Sequence, residues 1–422
     1  MPGPDAANIP AMNPSRTVAE LKELRARTGN ENGAQRVAFT PAWTKARQFL
    51  AAKLEGLPLE THRDAAGNFW ATLPGRSAKA LLIGGHMDSV PDGGWLDGCL
   101  NTLAGVEILR HLVQEYEGFP PVTVRLVDWA DEEGARFGKS LFGSSACGGT
   151  LDIEEARHLR DRDGISLPEA LRSVGIDFEK TKDAGTELAD AAAYLELHIE
   201  QGPVLLDKGL ILGTVLGTCG VERHAITFRG QAAHAGSTPM NRRHDAFLAA
   251  ARMGPEIYKI AGRHGGVCTI GSCSTQPGIV TSVVAECRIT LDQRHLDASA
   301  LASMLGEARE AAARFAAEGD VRVEWERLQR IDPILFHPEL LGLCDEAADE
   351  TCGASHRMPS GPLHDASEVS RAGIPAVMMF VQSLHGISHN KIEDTKEEHI
   401  EAAVRAFERL ATKTIEWVAR QH

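Results

Sequence analysis

Four segments of this sequence run from apolar stretches into residues able to hold a metal ion. In "LLIGGHMDSVPDGGWLDG" (81–98), His86 closes a strand-like run, Asp88 follows on the same pleat face, and Asp97 comes after a glycine-rich loop. In "VDWADEEGARFG" (127–138), a second apolar run opens into Asp131, Glu132 and Glu133. "YLELHIEQGP" (194–203) places His198 in an alternating strand, and "GISHNKIEDT" (386–395) places His389 in a turn. Strand ends suit hydrolytic metal chemistry, because a strand holds a donor rigidly while the loop leaves a coordination position open. Each segment also has a plainer reading: a Gly/Asp turn, a solvated acidic loop, a structural strand histidine, a loop histidine.

Together the segments supply His86, Asp97, Glu133, His198 and His389. Three imidazoles and two carboxylates suit two borderline transition metals sharing a bridging carboxylate. Asp88 can accept the second N–H of the His86 ring and fix its tautomer. Of the paired glutamates, one can ligate while the other shuttles protons. Asp92 reads as a turn residue. Cys99, Asn101 and Thr102, just after Asp97, have no evident role.

The elements that must position these residues alternate between short apolar runs and longer amphipathic ones, as in layered α/β proteins. Strands are expected at 79–86, 122–130 and 192–198, and a helix from about Leu100 to Tyr116. Thr40 and Pro41 suit a helix start. A last helix follows Thr395, with Glu398 completing a capping box. The polar stretch 152–190 reads as surface helices and loops. From 212 to 330 the pattern changes to an α+β unit: strand "HAITFRG", one helix over "MNRRHDAFLAAARMGPEIYKI", strands "GVCTIGSC" and "SVVAECRITLDQRH", a helix over 298–318, then "VRVEWERL". The expected layout is a catalytic domain in two parts, 1–211 and 331–422, with a central mixed sheet flanked by helices, interrupted by a smaller α+β dimerisation or lid domain at 212–330.

Bulk composition narrows the partners. The 422 residues are 43% hydrophobic, enough for a large core, and the net charge of -14 argues against nucleic acid or an anionic membrane. The eight cysteines form no C-x-x-C pair and read as buried thiols of a cytoplasmic protein. "MPGPDAANIPAMNPS" reads as a loose tail without signal-peptide character, and no apolar run approaches a membrane span.

The ordered set "GGHMDSVPDGGWLDG", "DEEGARFG", "LELHIEQGP", "AHAGSTPM", "LDQRH", "SGPLHDA" and "GISHNKIEDT" resembles the hydantoinase/carbamoylase-type amidases of the co-catalytic zinc peptidase superfamily. That group includes N-carbamoyl-L-amino acid hydrolases, β-ureidopropionases and allantoate amidohydrolases. The resemblance implies a binuclear metal-dependent hydrolase of linear amide or ureido C–N bonds. His86 and His198 would complete one metal and Glu133 and His389 the other, with Asp97 bridging. Zinc is the leading metal, with manganese, cobalt or nickel as alternatives. Glu132 would be the general base. His234 would reach across a homodimer interface to stabilise an oxyanion, and Arg294 would bind a substrate carboxylate, with Gln201 and His364 as further substrate contacts. Four arginines against one glutamate in 222–244 suit an anionic substrate.

Two departures bear on the substrate. Thr281 stands where the group commonly has Asn, and Pro362-Leu363 makes the "SGPLHDA" run bulkier than usual. The leading reaction is cleavage of an N-carbamoyl-L-amino acid to amino acid, ammonia and carbon dioxide. Allantoate, an N-carbamoyl-β-amino acid, an N-acyl-amino acid or a dipeptide are rival substrates, and a catalytically silent binding protein is the rival of another class.

Overall fold

The computed structural model describes residues 12–421. The expected N-terminal tail lies outside the described residues as far as residue 11, but its last residues, Pro14 and Ser15, already begin helix Pro14–Thr28.

The chain divides into two compact units: Met1–Leu216, Phe336–Met358 and His364–His422 form the first, and Gly217–Leu335 with Pro359–Leu363 the second. The first is built on a mixed sheet. Its strands run in the order Leu212–Thr218, Ala376–Val381, Ala191–Ile199, Ala80–His86, Thr123–Trp129, Phe69–Leu73 and Glu60–Arg63. The four strands from Ala376–Val381 to Thr123–Trp129 are mutually parallel, and the flanking pairs are antiparallel. Helices cover both faces of parallel sheets, which is why Ala80–His86 is buried along its whole length and reads as a continuous apolar run.

Chain order creates the crevice. The strand after Ala80–His86 adds on one side of it, and the next, Ala191–Ile199, adds on the other. Ligands of open α/β sheets bind at such a switch, beyond the carboxyl ends of the strands. His86 and His198 sit at those ends.

Helix Cys99–Glu115 packs under the switch with nearly every residue buried. Its buried charges, Glu107 and Arg110, are neutralised by Arg16 and Glu20. Thr40 caps helix Pro41–Leu54 as expected, accepting the Trp43 N–H at 3.4 Å.

Three local expectations are corrected. Helix Glu397–Arg420 has no capping box, because the Thr395 hydroxyl is spent on the Gln382 carbonyl at 3.0 Å. The single helix expected over 240–260 breaks into a 3-10 turn, Ala246–Ala251 and Met253–His264; Asp245 separates the first two by capping Ala246–Ala251, accepting the N–H groups of Phe247 and Leu248. Stretch 152–190 is not all surface: Ile153, Leu167, Leu171, Ile176 and Phe178 join Phe39, Trp43 and Phe142 in a core cluster.

In the second unit an antiparallel sheet runs in the order Val267–Gln276, Glu286–His295, Gly220–Arg229, Arg322–Ile331. The expected strand over 282–295 is divided, since Ser282–Val283 pairs instead with Ala233–His234. Alternate residues Cys287, Ile289 and Leu291 are buried with Met253, Ile257, Met304 and Phe315 of the helices. All eight cysteines are free, the nearest two being Cys273 and Cys287, whose sulfurs lie 3.7 Å apart. No helix among the described residues is long and apolar enough to cross a membrane.

Candidate metal centre

The five donors meet around one carboxylate. Asp97 Oδ1 lies 3.0 Å from His198 Nε2 and 3.6 Å from His86 Nε2. Its other oxygen, Oδ2, lies 3.6 Å from His389 Nε2, which is 3.2 Å from Glu133 Oε2. Two donor groups result, His86–Asp97–His198 and Asp97–Glu133–His389, with Asp97 common to both. His86 and His198 are almost fully buried, and His86 Nε2 has no hydrogen-bond partner. A buried ring nitrogen without a partner, facing a carboxylate and another imidazole, fits a ligand awaiting a cation better than a structural histidine. Borderline divalent ions prefer this mixture of imidazole and carboxylate.

Geometry explains the glycines of the first motif. Gly98 has φ +68°, and a Cβ there would come within 2.4 Å of the His86 ring. A Cβ on Gly94 would overlap the Glu393 carboxylate. These glycines therefore serve close packing rather than spacer flexibility. Asp92 is a turn residue at φ +56°, accepting from Gln35 at 2.7 Å.

Around the donors lies a supporting layer. The Asp88 carboxylate is 3.6 Å from His86 Nδ1, while the Asp88 carbonyl is nearer at 3.2 Å. The same carboxylate accepts the backbone N–H groups of Glu132 and Glu133 at 3.3 and 3.2 Å. Asp88 thus ties the first motif to the second as well as steadying the ring. Glu132 Oε2 stands 3.8 Å from His86 Nε2. Burial, with Asp365, Glu133 and Asp88 close by, pushes its carboxyl well above the ordinary range. Gln201 Nε2 donates to Asp97 Oδ2 at 3.0 Å and lies 3.4 Å from His389 Nε2, so it reaches the donors themselves. His364 packs edge-on against His198, with ring centres 4.6 Å apart, and burial holds its pKa well below the usual imidazole value.

Some functional positions carried no separate signal in the sequence. Glu393 lies beneath Asp97: its Oε1 accepts the N–H groups of Leu96 and Asp97 at 3.1 Å each, and its Oε2 accepts Ser388 Oγ at 2.7 Å. Burial raises its carboxyl to about 7. Ser388 Oγ also lies 3.0 Å from Asp97 Oδ2, and its single proton can serve only one of the two carboxylates at a time. Both residues fall inside "GISHNKIEDT", where their proximity to His389 was the available clue. Asp128 accepts Met87 N–H at 2.8 Å and pairs with Arg47 at 2.6 Å, bracing the peptide beside His86.

His234, Thr281 and Arg294 belong to the second unit. His234 is exposed, and its Nδ1 accepts the N–H groups of Gly236 and Ser237 at 3.1 and 3.2 Å. That arrangement leaves the neutral ring's proton on Nε2 as an outward donor. The exposed Thr281 gives its carbonyl to Ala235 N–H. Arg294 is held by Asp292 at 2.9 Å and donates to Gly361 O at 3.0 Å. Two of the four arginines in 222–244 are paired with carboxylates locally, Arg223 with Asp292 and Arg229 with Glu286 and Glu324, while Arg243 donates to the Thr238 and Ala235 carbonyls.

Imidazoles and carboxylates gathered at the carboxyl ends of a parallel-centred sheet, with a buried glutamate beside them, define a hydrolase. The chain belongs to peptidase family M20/M25/M40, which it matches over residues 82–413, and within it to the amidohydrolases of hydantoinase/carbamoylase type. It is 36% identical over 370 residues to an N-carbamoyl-L-amino acid amidohydrolase of Geobacillus stearothermophilus, covering 87% of this chain and 90% of that protein. An allantoate amidohydrolase of Escherichia coli is 31% identical over 379 residues, covering 89% and 91%. The crystal structure of a hydantoinase/carbamoylase family amidase from Burkholderia multivorans superposes with a TM-score of 0.87 at 30% identity, covering 95% and 97%.

Proposed function

We propose that this amidohydrolase cleaves the ureido C–N bond of an N-carbamoyl-L-amino acid, using two divalent metal ions at the Asp97 centre. The observation that carries the reading is the division of Asp97: one oxygen faces His86 and His198, the other His389. His86, His198 and Asp97 would hold one ion, and Glu133, His389 and Asp97 the other. When bound, such ions supply Lewis acidity toward a carbonyl oxygen and lower the pKa of water.

The chain's own residues do the rest. Glu132 takes a proton from the attacking water and delivers it to the nitrogen of the departing amino acid. The ureido C–N bond breaks, and the carbamate released falls to ammonia and carbon dioxide. Asp88 and Glu393 keep the His86 ring and the Asp97 loop in place. The partner subunit's His234 donates its Nε2–H to the oxygen that gains negative charge, an arrangement that requires a homodimer. Arg294 receives the substrate carboxylate by exchanging part of its hold on Asp292, a geometry a planar guanidinium can share. Gln201, Thr281 and His364 contribute to the pocket. The 36% identity to an N-carbamoyl-L-amino acid amidohydrolase favours this substrate class over the allantoate of the relative at 31%.

A panel of N-carbamoyl-L-amino acids, allantoate, N-carbamoyl-β-alanine, N-acetyl-amino acids and dipeptides, assayed on metal-loaded protein, tests the assignment. Highest kcat/KM on an N-carbamoyl-L-amino acid is expected; dominant turnover of any other class refutes it. Mixing inactive His234→Ala and Glu132→Gln chains should restore partial activity, and verified mixed dimers without rescue would exclude the cross-subunit role.

A further inference from the structure

Away from the metal centre, the first unit holds a cavity of about 530 Å³ between the outer face of helix Pro41–Leu54 and the edge strand Glu60–Arg63. That size lies within the range of small-molecule sites. Trp43, Ala51, Phe69 and Val174 give it apolar walls. No aspartate or glutamate lines it, although the chain carries a net charge of -14.

Three basic groups reach the lining, and two are already committed. Arg47 is paired with Asp128 at 2.6 Å and donates to the Asp128 carbonyl at 2.9 Å. His62 is paired with Glu187 at 2.8 Å. Arg63 differs: Nη1 donates to the Val174 carbonyl at 3.0 Å, and no carboxylate among the described residues pairs with it. Its remaining N–H groups are a ready bidentate site for one carboxylate.

We infer that this cavity is a second binding site, for a small monocarboxylate with an apolar, ring-sized body, anchored by Arg63. The absence of any acidic group selects against amino acids, whose ammonium would find no counter-charge there. The site is separate from the metal donors and does not rest on the substrate proposed above.

Calorimetric titration of the metal-loaded protein with 3-phenylpropanoate, which has no scissile amide, tests the inference. Saturable binding at one site per chain is expected. Affinity should exceed tenfold that for 3-phenylpropan-1-ol, which lacks the charge, for propanoate, which lacks the ring, and for L-phenylalanine, which adds the ammonium. Arg63→Ala should weaken binding at least tenfold, and Ala51→Trp, which fills the cavity, should abolish it. Both variants should keep the thermal midpoint and amide turnover of the parent. No saturable binding, equal affinity for acid and alcohol, or binding that Arg63→Ala leaves unchanged would overturn the assignment.

Discussion

Replacing Asn101 by alanine removes a side chain that bridges a parting in the central sheet. Strands Ala80–His86 and Ala191–Ile199 pair in register only as far as Ile83 and Leu195. Beyond that point the Leu197 N–H is buried, and its acceptor is Asn101 Oδ1 at 3.0 Å. The amide also fills the space over Gly85, where a Cβ would come within 2.6 Å of Asn101 Nδ2. A buried N–H left without a partner costs about 1–3 kcal/mol, and the void adds about 1 kcal/mol. Against this, Asn101 Nδ2 has no acceptor, so deleting it returns part of the loss. The net expectation for Asn101→Ala is about 2 kcal/mol of destabilisation. Because Leu197 adjoins His198, metal affinity should fall about tenfold, the lower end of the effect of ligand-supporting residues. Urea unfolding followed by tryptophan fluorescence reads the first quantity, and titration against a competing chelator the second. Unfolding within 0.5 kcal/mol of the parent (about the size of a neutral surface change) together with unaltered metal affinity would refute the bridging role.

The other expectations concern the metal centre and one surface pair. Glu132→Gln should lower kcat by about 10²–10⁴-fold, the usual share of general acid–base catalysis, while elemental analysis finds the parent's metal content. Glu393→Ala frees the N–H groups of Leu96 and Asp97 and should weaken metal binding about 10–100-fold by chelator competition. Gly98→Ala forces a left-handed backbone costing about 1–2 kcal/mol and a collision with the His86 ring, so metal loading should drop in the same assay. His111 pairs with Glu408 at 3.2 Å, and that hydrogen bond raises the imidazole pKa. Its stabilisation is complete below the unfolded histidine's pKa of about 6.5 and fades as pH rises through the folded value. The stability gap between parent and His111→Ala should therefore shrink as pH rises above about 6.5, from a maximum of about 1 kcal/mol; a gap that widens instead would contradict the pairing.

The side chains that gather around Asp97 were legible as candidates because metal chemistry demands particular residue types at strand ends, and His86, Glu133 and His198 stand directly at or beyond apolar runs. Three of the four parallel core strands were legible for the same reason that they are stable: strands buried on both faces carry little but apolar residues; the fourth, Ala376–Val381, was not among the expected strands although it is equally apolar and buried. Supporting residues were harder to read. Glu393 acts through its distance to backbone N–H groups far away in the chain, and nothing in the local pattern "NKIEDT" distinguishes an acid turned inward from one facing water. Asn101 was conspicuous yet unexplained, since its role depends on where two strands separate. The helix start at Asp245 and the diverted hydroxyl of Thr395 show two different limits: Asp245 caps locally, accepting the N–H groups of Phe247 and Leu248, whereas a tertiary partner, the Gln382 carbonyl, takes the Thr395 hydroxyl.

The unequal surroundings of the two Asp97 oxygens bear on exchange kinetics. On the Oδ1 side, His86 and His198 have side chains only 1% and 2% exposed. On the Oδ2 side, His389 is 51% exposed and rides on a loop at φ +52°. If two ions bind as proposed, the one at Glu133 and His389 would be traded with solvent by movement of one surface side chain, whereas the one at His86 and His198 would wait for buried groups to open. Chelation should then empty the centre in order, passing through a uniform half-loaded population rather than a mixture of full and empty molecules.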